Sequence, residues 1–463
     1  MNIDFITQLL LAGIVTVAAA YFIAIGIKRF ELAIIGVTFS PFLAALFSMN
    51  SGESELTASE TTGSYVRIGL LFLMGLVGMI KWFQHRAVKS EKLPTPLKML
   101  GAFLIVAVLS TSYSIDPAYT LIRSSSFVAL FIFLLGLYEW LNEQQRFNRV
   151  IQSLFFVLIC ILAINAASLV FLGESAWWIK NPSRFSGVWG HPNTMGAFCM
   201  ICYPIALWHM ARIKSWHKLW VLLFILIAAG LHLITGSRSS ILAGMLAVVT
   251  WFFVTKQKMK PIVLSVLVAG IVMLLIETTP IEQSFERTVN RDKSITTLTG
   301  RSDFWIESLE LIMERPLMGY GFGTAGKILA ESELYNPDLR LWSGSAKTSL
   351  HNGYLTVASG VGVFGALIWI ALLMMPLWQM QKLNPLPARA VIMAILLSCL
   401  LLNFVEDAIN AGTSVPALIF WMAWTAAIRM EHLETNQTAS PGGRIERLGK
   451  QKEQIPSIVA DQI

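Results

Sequence analysis

The chain has 463 residues, of which 55% are hydrophobic and only 14% are charged, and its formal net charge is +7. Soluble proteins carry about 25% charged residues, so this composition excludes a water-soluble fold, a disordered chain and a coiled coil. The positive charges are spread along the chain instead of forming one patch, so no nucleic-acid partner is expected. A polytopic membrane protein, with membrane lipids around it, is the class that remains.

Apolar stretches that reach or approach the roughly 20 residues needed to cross a bilayer follow one another along the chain. They are 6–27, 30–49, 64–83, 97–115, 123–141, 150–172, 194–211, 218–236, 239–255, 261–277, 353–379, 388–409 and 413–428. Their apolar residues are continuous and do not alternate, which favours helices over barrel strands. The predicted fold class is all-α, a polytopic transmembrane helical bundle of about 12–13 spans.

Lysine and arginine gather in alternate short loops, which are therefore predicted to face the cytoplasm. The intervening connections face outward. The predicted organisation is N-terminal transmembrane helices over 1–277 (about ten spans), a large outward-facing loop over 278–350, C-terminal transmembrane helices over 351–430 and a mobile cytoplasmic tail over 431–463. No cleavable signal peptide is expected.

The large loop contains an amphipathic pattern. Ser302 and Asp303 are typical of a helix start, Trp305, Leu309 and Ile312 fall on one helical face, and Arg315-Pro316 ends the pattern. The sequence predicts an amphipathic helix near the outer surface. The following Gly321–Gly326 matches the dinucleotide fingerprint, but no β-strand precedes it, so it is interpreted as a flexible turn.

Ionisable residues gather at the outward ends of the spans, where arginine opposes the positive-inside trend. They are Arg67, Arg123, Arg184, His191, Arg238, His351, Glu406 and Asp407. The planar guanidinium binds phosphate through two hydrogen bonds, so converging arginines predict a diphosphate site. The alternative is that each arginine reaches lipid head groups or pairs with an acidic side chain.

Three segments in this set carry sharper patterns: Arg184–Asn193 (RFSGVWGHPN), Thr235–Ser240 (TGSRSS) and Leu350–Tyr354 (LHNGY). In the first, glycine and proline form a turn directly before an apolar helix. Such a turn leaves the amides of the first helical turn available to an anion.

Four sequence motifs follow one another along the chain: RFSGVWGHPNTMG, TGSRSSILAG, GRSDFWIESLELIMERPLMGYGFG, and HNGYL followed by GVGVFG. In these motifs the chain resembles the O-antigen ligase and O-antigen polymerase superfamily, which are bacterial membrane glycosyltransferases. The resemblance covers roughly residues 180–375 within a multi-span frame. It does not distinguish ligase from polymerase.

The resemblance implies an enzyme of the bacterial cytoplasmic (inner) membrane with its active site facing the periplasm, which makes the large loop periplasmic. Members take a glycan from undecaprenyl diphosphate and transfer it, with inversion and without a metal or cofactor, to a hydroxyl acceptor such as a glycan or lipid A core. By motif, Arg184 and Arg238 would hold the diphosphate and His351 would lie at the reacting centre.

The residue types support the same chemistry. Arginines stabilise the charge that grows on a departing diphosphate, and a histidine with an ordinary pKa near 6.5 can take the proton of the acceptor hydroxyl. Capping of the following helix is the alternative role for His351, and Glu406 or Asp407 is the alternative base or orients the histidine. The predicted donor- and acceptor-binding residues are Arg123, Asn193, Arg301, Asn352, Tyr354 and Glu406.

No metal site is predicted, because no Asp-x-Asp lies near the outer face and no His or carboxylate set has ligand spacing. His232 lies inside a span and is expected to hydrogen-bond to a neighbouring helix. The main competing function is a flippase or transporter of lipid-linked oligosaccharide. That function predicts charged or broken helices at mid-membrane and related halves.

Overall fold

The computed structural model describes residues 23–50, 62–86, 92–178, 181–213, 216–256, 301–331, 350–380, 386–410 and 414–439. The predicted span 261–277, most of 6–27, the rest of the large loop and the tail from residue 440 lie outside the described residues.

The described chain is almost entirely helical. Its helices are α1 (Phe30–Asn50), α2 (Thr62–Arg86), α3 (Thr95–Leu109), α4 (Pro117–Trp140), α5 (Gln144–Phe171), α6 (Pro192–Arg212), α7 (His217–Ile234), α8 (Arg238–Val254), α9 (Arg301–Glu314), α10 (Ala325–Glu331), α11 (Gly353–Met380), α12 (Leu386–Val405) and α13 (Val415–Ala439). Short 3-10 turns occupy Ser110–Tyr113, Gly173–Ala176 and Gly187–Trp189.

Within the described residues, eight helices are long and apolar enough to cross a membrane. Three shorter apolar helices accompany them, at Phe30–Leu46, Arg238–Val254 and Val415–Met430. The prediction of an all-α polytopic bundle is therefore confirmed, and each described helix of this set coincides with a predicted apolar stretch. The division into 1–277, 278–350, 351–430 and 431–463 stays a prediction.

One short antiparallel hairpin was not predicted from the sequence. Strand β1 (Trp177–Trp178) pairs with β2 (Asn181–Phe185), and the rings of Trp177 and Phe185 meet edge to face at 5.8 Å. The hairpin lies between α5 and α6 and contains Arg184. Arg184 therefore has an extended backbone and lies at one end of the bundle.

Helices α2 and α4 approach each other closely because glycines lie at their crossing. A methyl group on Gly136 would lie 2.4 Å from the backbone oxygen of Gly78, and one on Gly78 would lie 2.5 Å from the Cα of Phe133. Small residues allow such backbone contact between helices in a membrane, where dispersion rather than water exclusion holds helices together.

Large aromatic side chains fill the contact between α3, α4, α11 and α13. Trp369 lies 4.6 Å from Phe103 and 5.3 Å from Trp421, measured between ring centroids. Trp421 and Trp424 each satisfy the indole N–H by donating to a backbone oxygen, those of Ile409 and Leu372 at 3.0 Å. Buried indoles with a partner contribute apolar contact without leaving a polar group unpaired.

Helix α11 is broken near its first third, where Gly362 has φ +78° and a non-helical ψ. In a regular helix, Val363 N–H would bond to Ser359 C=O. Here Val363 N–H donates to Pro316 O at 2.8 Å, and Ser359 O accepts from Tyr320 N–H at 2.8 Å. The segment Pro316–Thr324, called the wedge segment below, thus satisfies both groups that the break releases.

The wedge segment is packed on its other side against the junction of α3 and α4. Phe322 N–H donates to Ser110 Oγ at 3.0 Å, and Ile115 N–H donates to Tyr320 O at 3.1 Å. Gly321 has φ +109°, and a methyl group there would lie 2.2 Å from Ser114 Oγ. The predicted turn is found at Gly321–Thr324, where Thr324 N–H donates to Gly321 O at 3.3 Å. Its glycines permit close packing, and its flexibility stays a prediction.

Helix α9 confirms the predicted amphipathic helix over Arg301–Glu314, but its buried face differs from the prediction. Ser308, Leu311 and Ile312 are buried, and Trp305 meets Phe404 at 5.5 Å. Leu309 is instead half exposed, because the buried face follows positions 308, 311 and 312. Ile306, Leu309 and Met313 form a second, exposed apolar strip, which a lipid interface can accommodate.

Candidate active site

Arg184 is anchored by two directed hydrogen bonds. Its Nε donates to the backbone oxygen of Thr235 at 2.8 Å, and its Nη2 donates to Asn193 Oδ1 at 2.8 Å. The guanidinium also lies over the ring of Trp178, 5.6 Å from its centroid. A charged side chain held on three sides keeps a fixed orientation at low entropic cost when it binds an anion.

Asn193 lies in the first turn of α6, where the sequence His191-Pro192 starts the helix. The His191 side chain caps the helix by accepting from Asn193 N–H at 3.2 Å, and proline is favoured at this first position. The Asn193 side chain accepts from Arg184 and donates through Nδ2 to Glu406 Oε1 at 2.7 Å. The amide thus joins a guanidinium to a carboxylate 213 positions away in the chain.

His351 contacts the other oxygen of the Glu406 carboxylate. Its Nδ1 lies 2.9 Å from Glu406 Oε2, and the two side chains are 27% and 15% exposed. An ionised carboxylate can only accept hydrogen bonds, so the His351 tautomer that fits this contact has its proton on Nδ1. The remaining nitrogen, Nε2, is then the basic atom of the ring.

Arg184, Asn193, Glu406 and His351 therefore form one hydrogen-bonded series, called the Arg184–His351 network below. It joins residues from the segment before α6, the first turn of α6, the end of α12 and the segment before α11. Four of the nine predicted site residues meet in it. Glu406 occupies the orienting position that the sequence left open for it, on Nδ1 of the histidine.

The end of α12 and the start of α11 are held together by buried asparagines that the sequence reasoning missed. Asn403 Oδ1 accepts from the N–H groups of Ala408 and Ile409 at 3.1 and 3.2 Å, which shapes the turn that carries Glu406. Asn410 Nδ2 donates to Gly353 O at 2.6 Å, and a methyl group on Gly353 would lie 2.1 Å from Asn403 Oδ1. His351, with φ +46°, is thus held at a fixed distance from Glu406.

Another asparagine that the sequence reasoning missed supports the loop before α6. Asn165 Oδ1 accepts from Val188 N–H at 3.0 Å, and Gly187, with φ +57°, lies so close that a methyl group would be 2.2 Å from that oxygen. Polar side chains inside apolar spans, such as Asn165 and Asn403, are costly in lipid and therefore mark inward-facing positions. That signal was available in the sequence.

Arg238 is the first residue of α8, and its side chain is exposed. The turn before it is the one that holds Arg184, through Thr235 O. Gly236 in this turn has φ +59°, and a methyl group there would lie 3.4 Å from Arg184 Nε. Arg238 therefore projects from the same turn on which the Arg184 guanidinium rests.

Three helix N-termini meet around the network. The first turn of α6 contains Asn193, the turn before α8 contacts Arg184, and His351 directly precedes α11. The N-terminal end of a helix carries a partial positive charge and free N–H groups. Together with the arginines, these ends make the network surroundings suited to a multiply charged anion.

Arg123 lies in a separate cluster at the start of α4. Its Nε and Nη2 donate to the Tyr119 hydroxyl at 3.0 and 2.7 Å, and Lys327 lies over the Tyr119 ring at 4.5 Å while pairing with Asp116. Asp407 interacts electrostatically with both Arg123 and the Glu406–His351 pair. The two clusters are thus neighbours through Asp407.

The remaining predicted residues have other surroundings. Asn352 is buried and caps α11, because its Oδ1 accepts from the N–H groups of Tyr354 and Leu355 at 3.0 and 3.1 Å. The Tyr354 hydroxyl donates to Leu400 O at 3.1 Å. Arg301 begins α9, and its side chain lies outside the described residues. Substrate contacts by these three residues stay predictions.

The part of the chain that the structure describes has no group of three or more His, Cys, Asp or Glu side chains that could hold a metal ion. The prediction of a reaction without metal is not tested by this observation.

A search of the curated proteins finds no match to this chain. Residues 221–370 match the sequence model of the O-antigen ligase family. This range includes Arg238 and His351, and the network connects it to Arg184, Asn193 and Glu406 outside it. The chain is therefore a polytopic membrane protein whose residues 221–370 are similar to the O-antigen ligase family.

Proposed function

We propose that this protein transfers a glycan from undecaprenyl diphosphate to an acceptor hydroxyl at the periplasmic face of the bacterial cytoplasmic membrane. The observation that carries the proposal is the Arg184–His351 network, which joins an arginine suited to phosphate with a histidine whose basic nitrogen faces away from its carboxylate partner. The acceptor is a hydroxyl of lipid A core, of a growing glycan or of another polymer.

The diphosphate of the donor binds at Arg184 and Arg238, beside the N-termini of α6 and α8. As the bond between the anomeric carbon and the phosphate oxygen breaks, negative charge increases on the diphosphate. Fixed guanidinium groups and helix N-termini stabilise that charge without reorganising, which is how preorganised sites lower a barrier. The reaction therefore needs neither a metal nor another cofactor.

His351 acts on the other reactant. Its Nε2 accepts the proton of the acceptor hydroxyl while the hydroxyl oxygen forms its bond to the anomeric carbon, from the side opposite the leaving diphosphate. One such displacement inverts the configuration. Glu406 holds Nδ1–H and stabilises the imidazolium that forms, which is the role that a carboxylate has beside a catalytic histidine in other enzymes.

The test uses purified protein in lipid nanodiscs with an undecaprenyl-diphosphate-linked glycan and a glycan or lipid A core acceptor, with and without EDTA. We expect release of undecaprenyl diphosphate in both conditions. His351→Ala should lower turnover by about a thousandfold, and Arg184→Ala and Arg238→Ala by about a hundredfold each.

His217→Ala is the matched control, because His217 is exposed and stacks on Trp216 at the start of α7. It should keep full turnover. Normal turnover in the His351 and arginine variants would overturn the catalytic assignment. Translocation of the intact lipid-linked glycan across liposomes, without bond cleavage, would favour the flippase or transporter instead.

A further inference from the structure

A second histidine, His232, is buried inside the bundle, 2% exposed, near the C-terminal end of α7. Both ring nitrogens have partners on neighbouring helices. Nδ1 lies 2.9 Å from the Tyr203 hydroxyl of α6, and Nε2 lies 2.8 Å from Ser240 Oγ of α8. The expectation that His232 hydrogen-bonds to a neighbouring helix is confirmed for two helices at once.

The hydrogen bonds of Ser240 determine which groups donate and which accept around His232. Ser240 Oγ donates its one proton to the backbone oxygen of Ser237 at 2.9 Å, because a carbonyl can only accept. Toward His232, the same oxygen must therefore accept, so Nε2 carries the ring proton. Nδ1 is then the acceptor in the neutral ring, and the Tyr203 hydroxyl donates to it.

The chain of donors thus runs Tyr203 to His232 to Ser240 and ends on the carbonyl of Ser237. Ser237 is the N-cap of α8 and directly precedes Arg238. The preceding residues of the turn rest on His232 as well, since Thr235 Oγ1 donates to His232 O at 2.6 Å and accepts from Ser237 N–H at 3.2 Å.

The same turn is in contact with the start of α6. A methyl group on Gly196 would lie 2.3 Å from Ser240 Oγ and 2.9 Å from Ser237 Cβ. Gly196 is one helical turn after Asn193. The turn Thr235–Arg238 therefore has a fixed place relative to both Arg184, which bonds to Thr235 O, and the Asn193 turn of α6.

We propose that His232 is a positioning residue for the diphosphate site: its hydrogen bond to Ser240 sets the place of the Thr235–Arg238 turn, and hence of Arg238 and of the carbonyl that orients Arg184. This inference rests on the proposed function. His232 is separated from the substrate by the turn that it supports. Removing the His232 side chain should therefore lower the affinity for the diphosphate more than it slows the proton transfer at His351.

The first experiment compares His232→Phe, Tyr203→Phe and Ser240→Ala in nanodiscs. Phenylalanine keeps the bulk of the imidazole and removes both nitrogens. We expect His232→Phe to raise the donor KM and the Kd for inorganic pyrophosphate by about tenfold, with a smaller change in kcat. Ser240→Ala should act in the same way, and Tyr203→Phe should raise both constants only about threefold, because the bond to Ser240 remains.

His217→Ala is again the control, and the thermal unfolding midpoint of every variant is measured in parallel. A folded His232→Phe or Ser240→Ala variant with unchanged donor KM and pyrophosphate Kd would overturn the inference. A lower unfolding midpoint with unchanged binding would overturn it too, since it would show a role in stability alone. If the His232→Phe variant does not fold, the donor KM and pyrophosphate Kd of the Ser240→Ala variant test the inference.

The second experiment is independent of turnover. In protein labelled with ¹⁵N-histidine, one of the seven histidines should show the neutral form with its proton on Nε2 and an acceptor Nδ1, and Tyr203→Phe should shift the Nδ1 resonance of that histidine alone. A proton on Nδ1 would overturn the donor direction. If unaltered protein turns over no donor, the proposed function fails, while pyrophosphate binding and the nitrogen spectrum still decide the role of His232.

Discussion

The two ends of α4 lie near clusters built from the same residue types, and the clusters differ in how their charges meet. At the end that contains Trp140, Glu139 is 4% exposed and contacts Arg86 Nε at 3.3 Å and His85 Nδ1 at 3.7 Å. At the other end of the bundle, Glu406 contacts His351 directly and is joined to Arg184 through the Asn193 amide.

This difference is the one expected between a structural ion cluster and the proposed binding site. A carboxylate in direct contact with a guanidinium compensates its charge and holds two helices together, as Glu139 does for α2 and α4. Asn193, a neutral amide, bonds both to the Arg184 guanidinium and to the Glu406 carboxylate, so it orients the guanidinium without adding a charge of its own. The Arg184–His351 network has the arrangement expected of a site that binds anions.

The largest expected effect comes from exchanging the two carboxylates for amides. Glu406→Gln keeps the shape but removes the charge that stabilises the imidazolium of His351, so we expect kcat to fall about a hundredfold at nearly unchanged stability. Glu139→Gln should leave kcat unchanged and lower the free energy of unfolding by about 2 kcal/mol, the loss of a charged hydrogen bond in a buried setting.

Turnover in nanodiscs and denaturant unfolding of both variants measure the two quantities. A large loss of kcat in Glu139→Gln, or no loss in Glu406→Gln, would contradict the distinction between a structural cluster at Glu139 and a catalytic one at Glu406.

A smaller effect is expected when the amide is made a carboxylate. Asn193→Asp places a negative charge beside the Arg184 guanidinium and 2.7 Å from the Glu406 oxygen, which turns the site into an arrangement like that of Glu139. We expect the donor KM to rise about tenfold, because the added negative charge repels the diphosphate and competes for the guanidinium. Asn193→Ala is the comparison: it removes the orienting bonds without adding charge and should raise the KM less. Equal donor KM values for the Asn193→Asp variant and the unaltered protein would argue against an anion site here.

The smallest effect concerns the ion pair between Lys327 of α10 and Asp116 before α4. The hydrogen bond from Lys327 lowers the pKa of Asp116 below its ordinary value of 3.8. A lowered carboxyl pKa gives stability that is present above the ordinary value and is lost as the pH falls through the lowered one. Between pH 7 and pH 3, we expect the unaltered protein to lose up to about 1 kcal/mol more than Asp116→Asn. Parallel unfolding curves that show no such difference would contradict the pairing.

The bundle itself could be predicted because apolar stretches of membrane length have few alternatives to a helix. The residues that form the network could also be proposed, since Arg184, Asn193 and His351 lie in recognisable turns before apolar helices. Their partners could not be derived, because spacing along the chain does not show that Glu406 lies beside both Asn193 and His351. Contacts across such separations are decided by helix packing.

Other features depend on packing in the same way. The break at Gly362 and the buried face of α9 depend on neighbouring segments. The wedge segment replaces the lost helical hydrogen bond, and packing buries Ser308, Leu311 and Ile312 while Leu309 stays half exposed. Asn165 and Asn403 carried a readable signal as polar residues inside spans, but their roles as acceptors for turn amides required the three-dimensional structure.

The break in α11 has a consequence for biogenesis. Ser359 C=O and Val363 N–H pair with Tyr320 and Pro316, which precede them in the chain, and an unpaired backbone group costs several kcal/mol in lipid. During synthesis, residues 316–320 emerge first and must wait for α11 to enter the bilayer. Placement of the wedge segment and insertion of the helix are thereby coupled, and His351, just before α11, reaches its final place only when both are complete.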